Sequence, residues 1–509
     1  MHPHMVEELQ QNTQNHTEQV RQIMNLRYSE ILDRLLSNLE NVISENITTI
    51  LRNQLDSLKI LPPILPQDAI YQLPPDQYYV MSTLRCYLGK RNTQKWPYFF
   101  ITRSGGTGKS YIIHFITNLL KNNRSNYLLM APTGVAAQNV GGTTIHSNLR
   151  IVSTQTGYHT LSFYDNEFKN KLKAVDTIII DEVSMVSAQL FEFMSNMFAT
   201  IHNNALAFSG INVIVVSDLA QLPPVTGSQV FKSSIWKLFY PLFLRHSHRQ
   251  QDQLEYCNML ENIRLGNITE EIWEKLQRKH ESFDPNKPIE LLLNTTNIVG
   301  YRETADKINR LVCNTLPTTQ DKFMISCAID TINGEQWNTN LTEKTFKSKT
   351  NLPPSVRLQQ GAKVMYLNNF KSNLNIYNGT IGVITDVNTE SNLVRISFSV
   401  IGGIVDIDVK TETNYFTVNG NNASRQQFPI QNSYALTVHK TQSLTLHYIS
   451  ASLDDQMFSA GQAYTALSRC PSWDNVQIAA LDRAAFKTDP DVIKEYEHLE
   501  LVAASPLPI

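Results

Sequence analysis

Five consecutive residues, Gly106-Thr107-Gly108-Lys109-Ser110, bring together the groups that a bound phosphate needs: unobstructed backbone amides, an ammonium and a hydroxyl. Tyr98-Phe99-Phe100-Ile101 just before them reads as a buried strand, and residues 111–120 just after read as a helix. A strand, a glycine-rich loop and a helix in that order are the setting of a P-loop. The amides of Gly106, Thr107, Gly108 and Lys109 would face a β-phosphate, helped by the helix N-terminus. Lys109 would neutralise the β/γ oxygens and Ser110 would hold Mg²⁺. One position departs from the form G-x-x-x-x-G-K-[ST]: Arg103 stands where its first glycine would be.

A phosphate loop alone does no chemistry; a carboxylate must organise the metal and another must activate water. Thr177-Ile178-Ile179-Ile180 is a run of β-formers ending in Asp181-Glu182. Asp181 would hold Mg²⁺ through water and Glu182 would polarise the attacking water. A further strand, Asn212-Val213-Ile214-Val215-Val216, leads into Ser217-Asp218-Leu219-Ala220-Gln221-Leu222-Pro223-Pro224-Val225. Gln221, uncharged and able to bond both phosphate and water, is the candidate γ-phosphate sensor, and the proline pair would stiffen its loop.

The elements that must position these groups alternate. Short apolar strands at 98–102, 127–131, 177–181 and 212–217 are separated by helical segments, which predicts a parallel sheet with helices on its faces. From 345 to 429 valine, isoleucine and threonine alternate between turn signals such as Asn378-Gly379 and Asn419-Gly420, the pattern of a small all-β insertion. Residues 338–351, rich in Asn, Thr and Lys, read as an exposed loop leading into it. Before the α/β region, Leu32, Leu35, Leu36, Leu39, Val42, Ile43, Ile47, Ile50 and Leu51 recur at helical spacing, giving one or two amphipathic helices that pack on the body or self-associate. Leu61-Pro62-Pro63-Ile64-Leu65-Pro66 ends that segment.

The 509 residues fit about three domains. No apolar run is long enough to span a bilayer and the first twelve residues form no signal peptide. The five cysteines, Cys86, Cys257, Cys313, Cys327 and Cys470, include no CxxC pair, which argues against a zinc site and a disulfide framework and fits a reducing, intracellular compartment; a nuclear location is expected. With a net charge of −2, a nucleic-acid partner would have to be met by local basic and polar surfaces.

Together these segments resemble the superfamily-one DNA helicases of the Pif-one and RecD-like branch. Gly105 to Ser110, Asp181-Glu182-Val183-Ser184-Met185 and Asp218 to Val225 are similar to motifs I, II and III. Ala131 to Ala137 with Thr144-Ile145-His146-Ser147 resembles motif Ia, Phe208-Ser209-Gly210-Ile211 the signature before motif III, and His248-Arg249-Gln250 motif IV. Ser433 to Gln442 resembles motif V, Tyr464 to Arg469 motif VI, and Leu73 to Gln77 an upstream adenine-recognition motif with Gln77 as its candidate. The resemblance spans residues 73–480.

It implies an α/β protein of two RecA-like P-loop domains that sandwich ATP, with single-stranded DNA across both and 5′-to-3′ movement. Its expected divisions are an N-terminal helical extension at 1–60, a first RecA-like domain at 61–238 with a wedge at 149–174, a second at 239–344 and 430–509, and an SH3-like insertion at 345–429. Arg249 and Arg469 would reach the γ-phosphate, where a planar, always-charged guanidinium stabilises charge on the equatorial oxygens. Thr133, His146, Ser147, His439 and Lys440 would touch DNA phosphates without reading bases. Tyr158, Phe163, Tyr164 and Phe168 would stack on the duplex end or pack the wedge. The partners implied are single-stranded and forked DNA, with no membrane, and the N-terminal helices are candidates for self-association or partner binding.

The resemblance leads to glycine at three positions held here by Arg103, Ser217 and Ser443. A side chain where glycine allows positive φ or close approach strains a loop. An active enzyme with Arg103 turned outward is the expected outcome. A DNA-binding protein with weakened or lost ATPase is the alternative, and a P-loop NTPase that moves protein is a third.

Overall fold

The computed structural model describes residues 41–57, 67–88, 98–102, 108–154, 157–245, 253–284, 293–316, 322–347, 349–369, 371–400, 403–505 and 507. Arg103, Gly105, Gly106, Thr107 and Arg249 lie outside the described residues, as do Leu32, Leu35, Leu36, Leu39 and the proline-rich 61–66 segment. The chain divides into two compact units, one formed by residues 1–62, 284–297 and 301–436, the other by 63–283, 298–300 and 437–509.

In the larger unit the four apolar runs become strands at the expected positions. A six-stranded sheet runs in the order Thr143–Thr144, Tyr127–Ala131, Thr177–Asp181, Asn212–Ser217, Tyr98–Thr102, Phe239–Phe243, with every neighbouring pair parallel. Tyr98–Thr102 and Thr177–Asp181 are buried at all five positions, which is why they read as unbroken hydrophobic runs: a parallel sheet covered on both faces has no polar side. Helix Lys109–Asn122 buries Ile112, Ile113, Phe115 and Ile116 on one face, and helix Ala188–His202 buries Leu190, Phe191, Met194 and Phe198 on the other.

A second core gathers helices Leu254–Arg264, Glu270–Glu281 and Gln462–Leu467 over the parallel pair Ile449–Leu453 and Val476–Leu481. Helix Pro490–Ala503 returns to the first sheet. Val492, Tyr496 and Leu499 enter the core around Phe100, Trp236 and Phe239, and Trp236 Nε1 donates to Glu495 at 2.8 Å. Helix Pro490–Ala503, in the part of the chain expected to belong to the second RecA-like domain, thus buries Val492, Tyr496 and Leu499 against the first sheet.

Residues 151–160 form a hairpin, Ile151–Thr154 against Gly157–Thr160, followed by a 3₁₀ turn at Leu161–Tyr164 and helix Asn166–Lys173. Tyr158 rests against Phe193 and Phe168 lies beneath the Arg150 guanidinium at 4.0 Å, so these two pack. Tyr164 is 88% exposed and Phe163 39%.

The smaller unit is mostly antiparallel. A five-stranded sheet runs Gly403–Val409, Leu393–Val400, Ile381–Asn388, Lys363–Tyr366, Ile430–Asn432, and a four-stranded one runs Glu335–Trp337, Ile329–Ile332, Asn421–Gln427, Glu412–Val418. Asn419 (φ 49°) and Gly420 (φ 81°) make the two-residue hairpin that their sequence signals. The strands begin at Phe323 rather than 345, because Phe323–Cys327 pairs with Ser355–Gln359 and Ile329–Ile332 with Asn421–Gln427. Residues 338–351 are also not the exposed loop expected. Thr339–Phe346 is a helix, with Thr342 and Phe346 buried and Phe346 edge-on to Phe416. Helix Asn41–Ser57 lies on Ile381–Asn388 and Leu393–Val400. It buries Ile47, Ile50 and Leu51, and Ser399 Oγ donates to Leu51 O at 3.0 Å. The described part of the N-terminal helical segment thus takes the packing alternative.

Candidate active site

The carboxyl ends of parallel strands are where open α/β sheets place ligands, and three such ends converge here. Gly108, at φ 83°, caps helix Lys109–Asn122, which sets Lys109 and Ser110 in its first turn. Asp181 ends one strand, and Glu182 turns the chain out of it in a left-handed conformation, φ 52° and ψ 44°. Both acids are buried, and the Glu182 amide donates to Asp181 Oδ1 at 2.9 Å. Burial, with the Glu182 charge beside it, pushes the Asp181 carboxyl up to about 8 against the opposing pull of Lys109. The raised value marks a carboxylate whose charge is under-compensated, the condition a cation would relieve. Hydroxyl and carboxylate oxygens suit Mg²⁺, which takes few protein ligands and keeps water. Among the described residues no group of three or more His, Cys, Asp or Glu is placed to hold a metal.

Gln221 and Arg469 meet at this edge. Arg469 is 2% exposed. Its Nη2 donates to Gln221 Oε1 at 3.1 Å, and its Nε to Thr465 O at 3.0 Å. Burial holds this guanidinium below its ordinary value, against the Glu182 charge. Gly461, at φ 76°, lets helix Gln462–Leu467, which Arg469 follows, approach the Gln221 loop: a Cβ there would lie 2.4 Å from Ala220 O and 2.6 Å from Gln221 O.

A second polar cluster beneath the site was not anticipated. Asp218 is fully buried and accepts from Arg264 Nε (3.0 Å), Tyr464 OH (2.8 Å) and Tyr496 OH (3.0 Å). Burial opposes its charge, but the Arg264 guanidinium, with Lys109 and Tyr464, holds the carboxyl below its ordinary value. Tyr496 OH also bonds Thr102 Oγ1 and the Leu219 amide. The cluster ties two strand ends to helices Leu254–Arg264, Gln462–Leu467 and Pro490–Ala503. A single arginine on an amphipathic helix carries no spacing signal that could have marked Arg264.

The remaining positions are scattered over the same unit. Gln77 is 1% exposed on helix Pro75–Tyr87. The Thr133 hydroxyl caps helix Gly134–Val140 through the Ala136 amide at 3.2 Å. His146 and Ser147 are exposed on the short helix Ile145–Asn148, and Thr144 Oγ1 donates to Ser147 Oγ at 2.9 Å. His439 and Lys440 share helix Val438–Thr441, and the His439 ring stacks on Phe458. The structure brings Lys109, Asp181, Glu182, Gln221 and Arg469 to one strand edge.

Residues 73–274 match the family model of PIF1-like helicases. The chain is 30% identical over 420 residues to the human ATP-dependent DNA helicase PIF1, covering 80% of this chain and 62% of that one. It is 28% identical over 416 residues to the ATP-dependent DNA helicase Pif1 of Bdellovibrio bacteriovorus, covering 79% and 88%. The chain thus spans only 61–63% of the length of the human, mouse and rat relatives. Among solved structures, Pif1 helicase from Candida albicans aligns with a TM-score of 0.68 at 24% identity, over 84% of this chain and 99% of that one. Bacteroides Pif1 bound to single-stranded DNA aligns with a TM-score of 0.66 at 24% identity, over 84% and 96%. The fold is therefore that of Pif1 helicases, an α/β protein with antiparallel insertions. Of the positions where the sequence resemblance leads to glycine, Ser217 carries no backbone strain: it is extended in its strand, opposite Thr102. Ser443, another of those positions, is strained, with φ 67°.

Proposed function

We propose that the chain is an ATP-dependent DNA helicase that couples hydrolysis to 5′-to-3′ movement on single-stranded DNA and to unwinding of forked duplexes. The observation that carries this reading is the contact between Arg469 and Gln221 beside Glu182 and Lys109. A sensor, an arginine, a base and a phosphate cation stand at one strand edge, with the arginine placed just beyond helix Gln462–Leu467 of the second core. Hydrolysis needs that set. Lys109 binds the β/γ oxygens, Gln221 and Glu182 orient water, and Arg469 stabilises charge on the equatorial oxygens. The water oxygen bonds to phosphorus as the bond to ADP breaks, and the water proton passes to Glu182. Ser110 and Asp181 would hold Mg²⁺, which supplies charge neutralisation across the phosphates.

Gln77 would select adenine, and Gly105, Gly106, Thr107 and Gly108 would cradle phosphate. Arg249 would join Arg469. Thr133, His146, Ser147, His439 and Lys440 would follow the DNA backbone, with the 149–174 hairpin and helix as wedge and the solvent-facing Phe163 and Tyr164 at its surface. Relatives named as ATP-dependent DNA helicases, and a Bacteroides Pif1 solved with ADP-AlF3 and single-stranded DNA, support the nucleotide and DNA assignments.

The test is steady-state ATPase with and without single-stranded DNA, followed by unwinding of forks with either tail polarity. Turnover stimulated by DNA and unwinding from the 5′ tail are expected. ATPase indifferent to DNA would overturn the reading.

A further inference from the structure

Tyr496 is buried where two neighbouring strands of the first sheet end. Thr102 closes the strand that leads toward the phosphate loop, Ser217 closes the strand that leads into the Gln221 turn, and the two residues are register partners. A phenol carries one proton and can also accept. Tyr496 gives its proton to Asp218 Oδ1 at 3.0 Å, and its oxygen accepts from the Leu219 amide at 2.9 Å. The Thr102 hydroxyl, 3.0 Å away, then donates to the same oxygen. Beyond this contact lies the turn that presents Gln221. The amides of Leu219, Ala220 and Gln221 are satisfied in sequence by Tyr496 Oη, Asp218 Oδ1 (3.1 Å) and Asp218 O (3.1 Å). The ring is held too. The Arg264 guanidinium lies over it at 4.3 Å, and its helix is tied on both sides, Asp491 to Lys232 at 2.8 Å and Glu500 to Arg245 at 3.0 Å. Phenylalanine would fill the same space in the core. What the hydroxyl adds is position.

We propose that Tyr496 is a positioning residue for ATP hydrolysis, its hydroxyl fixing the Gln221 turn against the end of the strand that feeds the phosphate loop. This role presupposes the reading of Gln221 as the γ-phosphate sensor. Sensor and phosphate loop follow different strands, and hydrolysis needs them held to within about 0.5 Å of one geometry. Without the hydroxyl, the buried Leu219 amide loses its acceptor and the turn settles elsewhere, carrying the Gln221 amide away from phosphate and water. The group that prevents this stands 394 residues from Thr102 in sequence.

The experiment measures ATPase kcat and KM at saturating oligothymidylate for the parent, Tyr496→Phe, Gln221→Ala and the double variant, with single-turnover assays for the slow ones. Every rate is taken well below the variant's own thermal midpoint, so that unfolding does not enter. Tyr496→Phe keeps the ring beneath Arg264 and removes one hydroxyl. Loss of one hydrogen bond corresponds to about a three- to tenfold change in rate. The kcat should fall by that factor while KM for ATP stays within about twofold. In the Gln221→Ala background the same change should alter turnover by less than about twofold, because the displaced turn has no sensor left to misplace. Thr102→Val, which removes the partner hydroxyl, is read in the same cycle with the same signs. An unchanged kcat in Tyr496→Phe, or an equal fall in both backgrounds, makes the phenol a packing group and overturns the proposal. If Gln221→Ala alone turns over at the parent rate, the sensor assignment fails first and the positioning role falls with it.

Discussion

Arg469 and Gln221, 248 residues apart in sequence, share a 3.1 Å hydrogen bond at the rim of the first parallel sheet. Thr465 O and Ser468 Oγ hold the same guanidinium, so its position is fixed by the short helix Gln462–Leu467 and not by a flexible tether. Arg469→Ala should reduce kcat by about a hundredfold or more while changing ATP affinity much less. Parallel measurement of nucleotide binding and turnover checks this. Equal loss of both would make the arginine a structural group.

Lys109→Ala removes the phosphate cation from the first turn of its helix. ATP hydrolysis should disappear while the thermal midpoint stays within a few degrees of the parent, because no core residue is touched. Hydrolysis at the parent rate would sink the phosphate-site assignment.

Gly461→Ala puts a methyl group within 2.6 Å of two backbone carbonyl oxygens at a position with φ 76°. Helix Gln462–Leu467, and with it the following Arg469, must back away from the Gln221 loop. Loss of turnover together with about 1–3 kcal/mol of stability is expected from denaturant titration. A variant with parent stability and turnover would refute the close approach.

Asp218→Asn leaves the buried Arg264 guanidinium with Glu261, at 3.0 Å, as its remaining charged partner and should cost up to about 3–5 kcal/mol. Adding Arg264→Met should restore much of that loss, which urea titration of the single and double variants reads directly. The Asp218 carboxyl is held below its ordinary value in the folded state. Its contribution is therefore present above the unfolded carboxylate pKa and is lost as pH falls through the folded one. Acid unfolding should be shifted to higher pH in the Asp218→Asn variant.

Asp181 has the opposite sign. Its folded-state value, raised to about 8, means the nucleotide-free protein binds a proton that the unfolded chain releases near pH 4. Stability falls as pH climbs between those two values. Asp181→Asn should make the nucleotide-free protein more stable than the parent at pH 8 and above, while abolishing turnover. A midpoint lowered at that pH would show that the carboxylate is already compensated.

How much of this was legible in sequence depends on the range of the forces involved. The strands carrying Asp181, Ser217 and Thr102 are continuous apolar runs because both faces of a parallel sheet are covered, and their ends coincide with the chemical residues. The helix Thr339–Phe346 is mostly polar, and what makes it is Phe346 meeting Phe416 seventy residues on, a tertiary contact with no local periodicity. Strands between Phe323 and Trp337 are short and partly exposed, and are recognisable only from their partners at 355–359 and 421–427. The strain at Ser443 could be expected from its type and place; the bond it makes to Glu182 could not, because that depends on where motif II turns.

Helix Pro490–Ala503 also sets the order in which the larger unit can be built. The sheet that begins at Tyr98 lacks Val492, Tyr496 and Leu499 until nearly the whole second core has been synthesised. During translation its apolar face must wait uncovered, or be shielded by a chaperone, for the time needed to make roughly 250 residues, about 12 to 50 seconds at ribosomal speeds. Contacts of such long sequence separation also slow refolding. A nascent chain stalled just before residue 490 should therefore be sensitive to protease in its first sheet, and release of the final helix should close it.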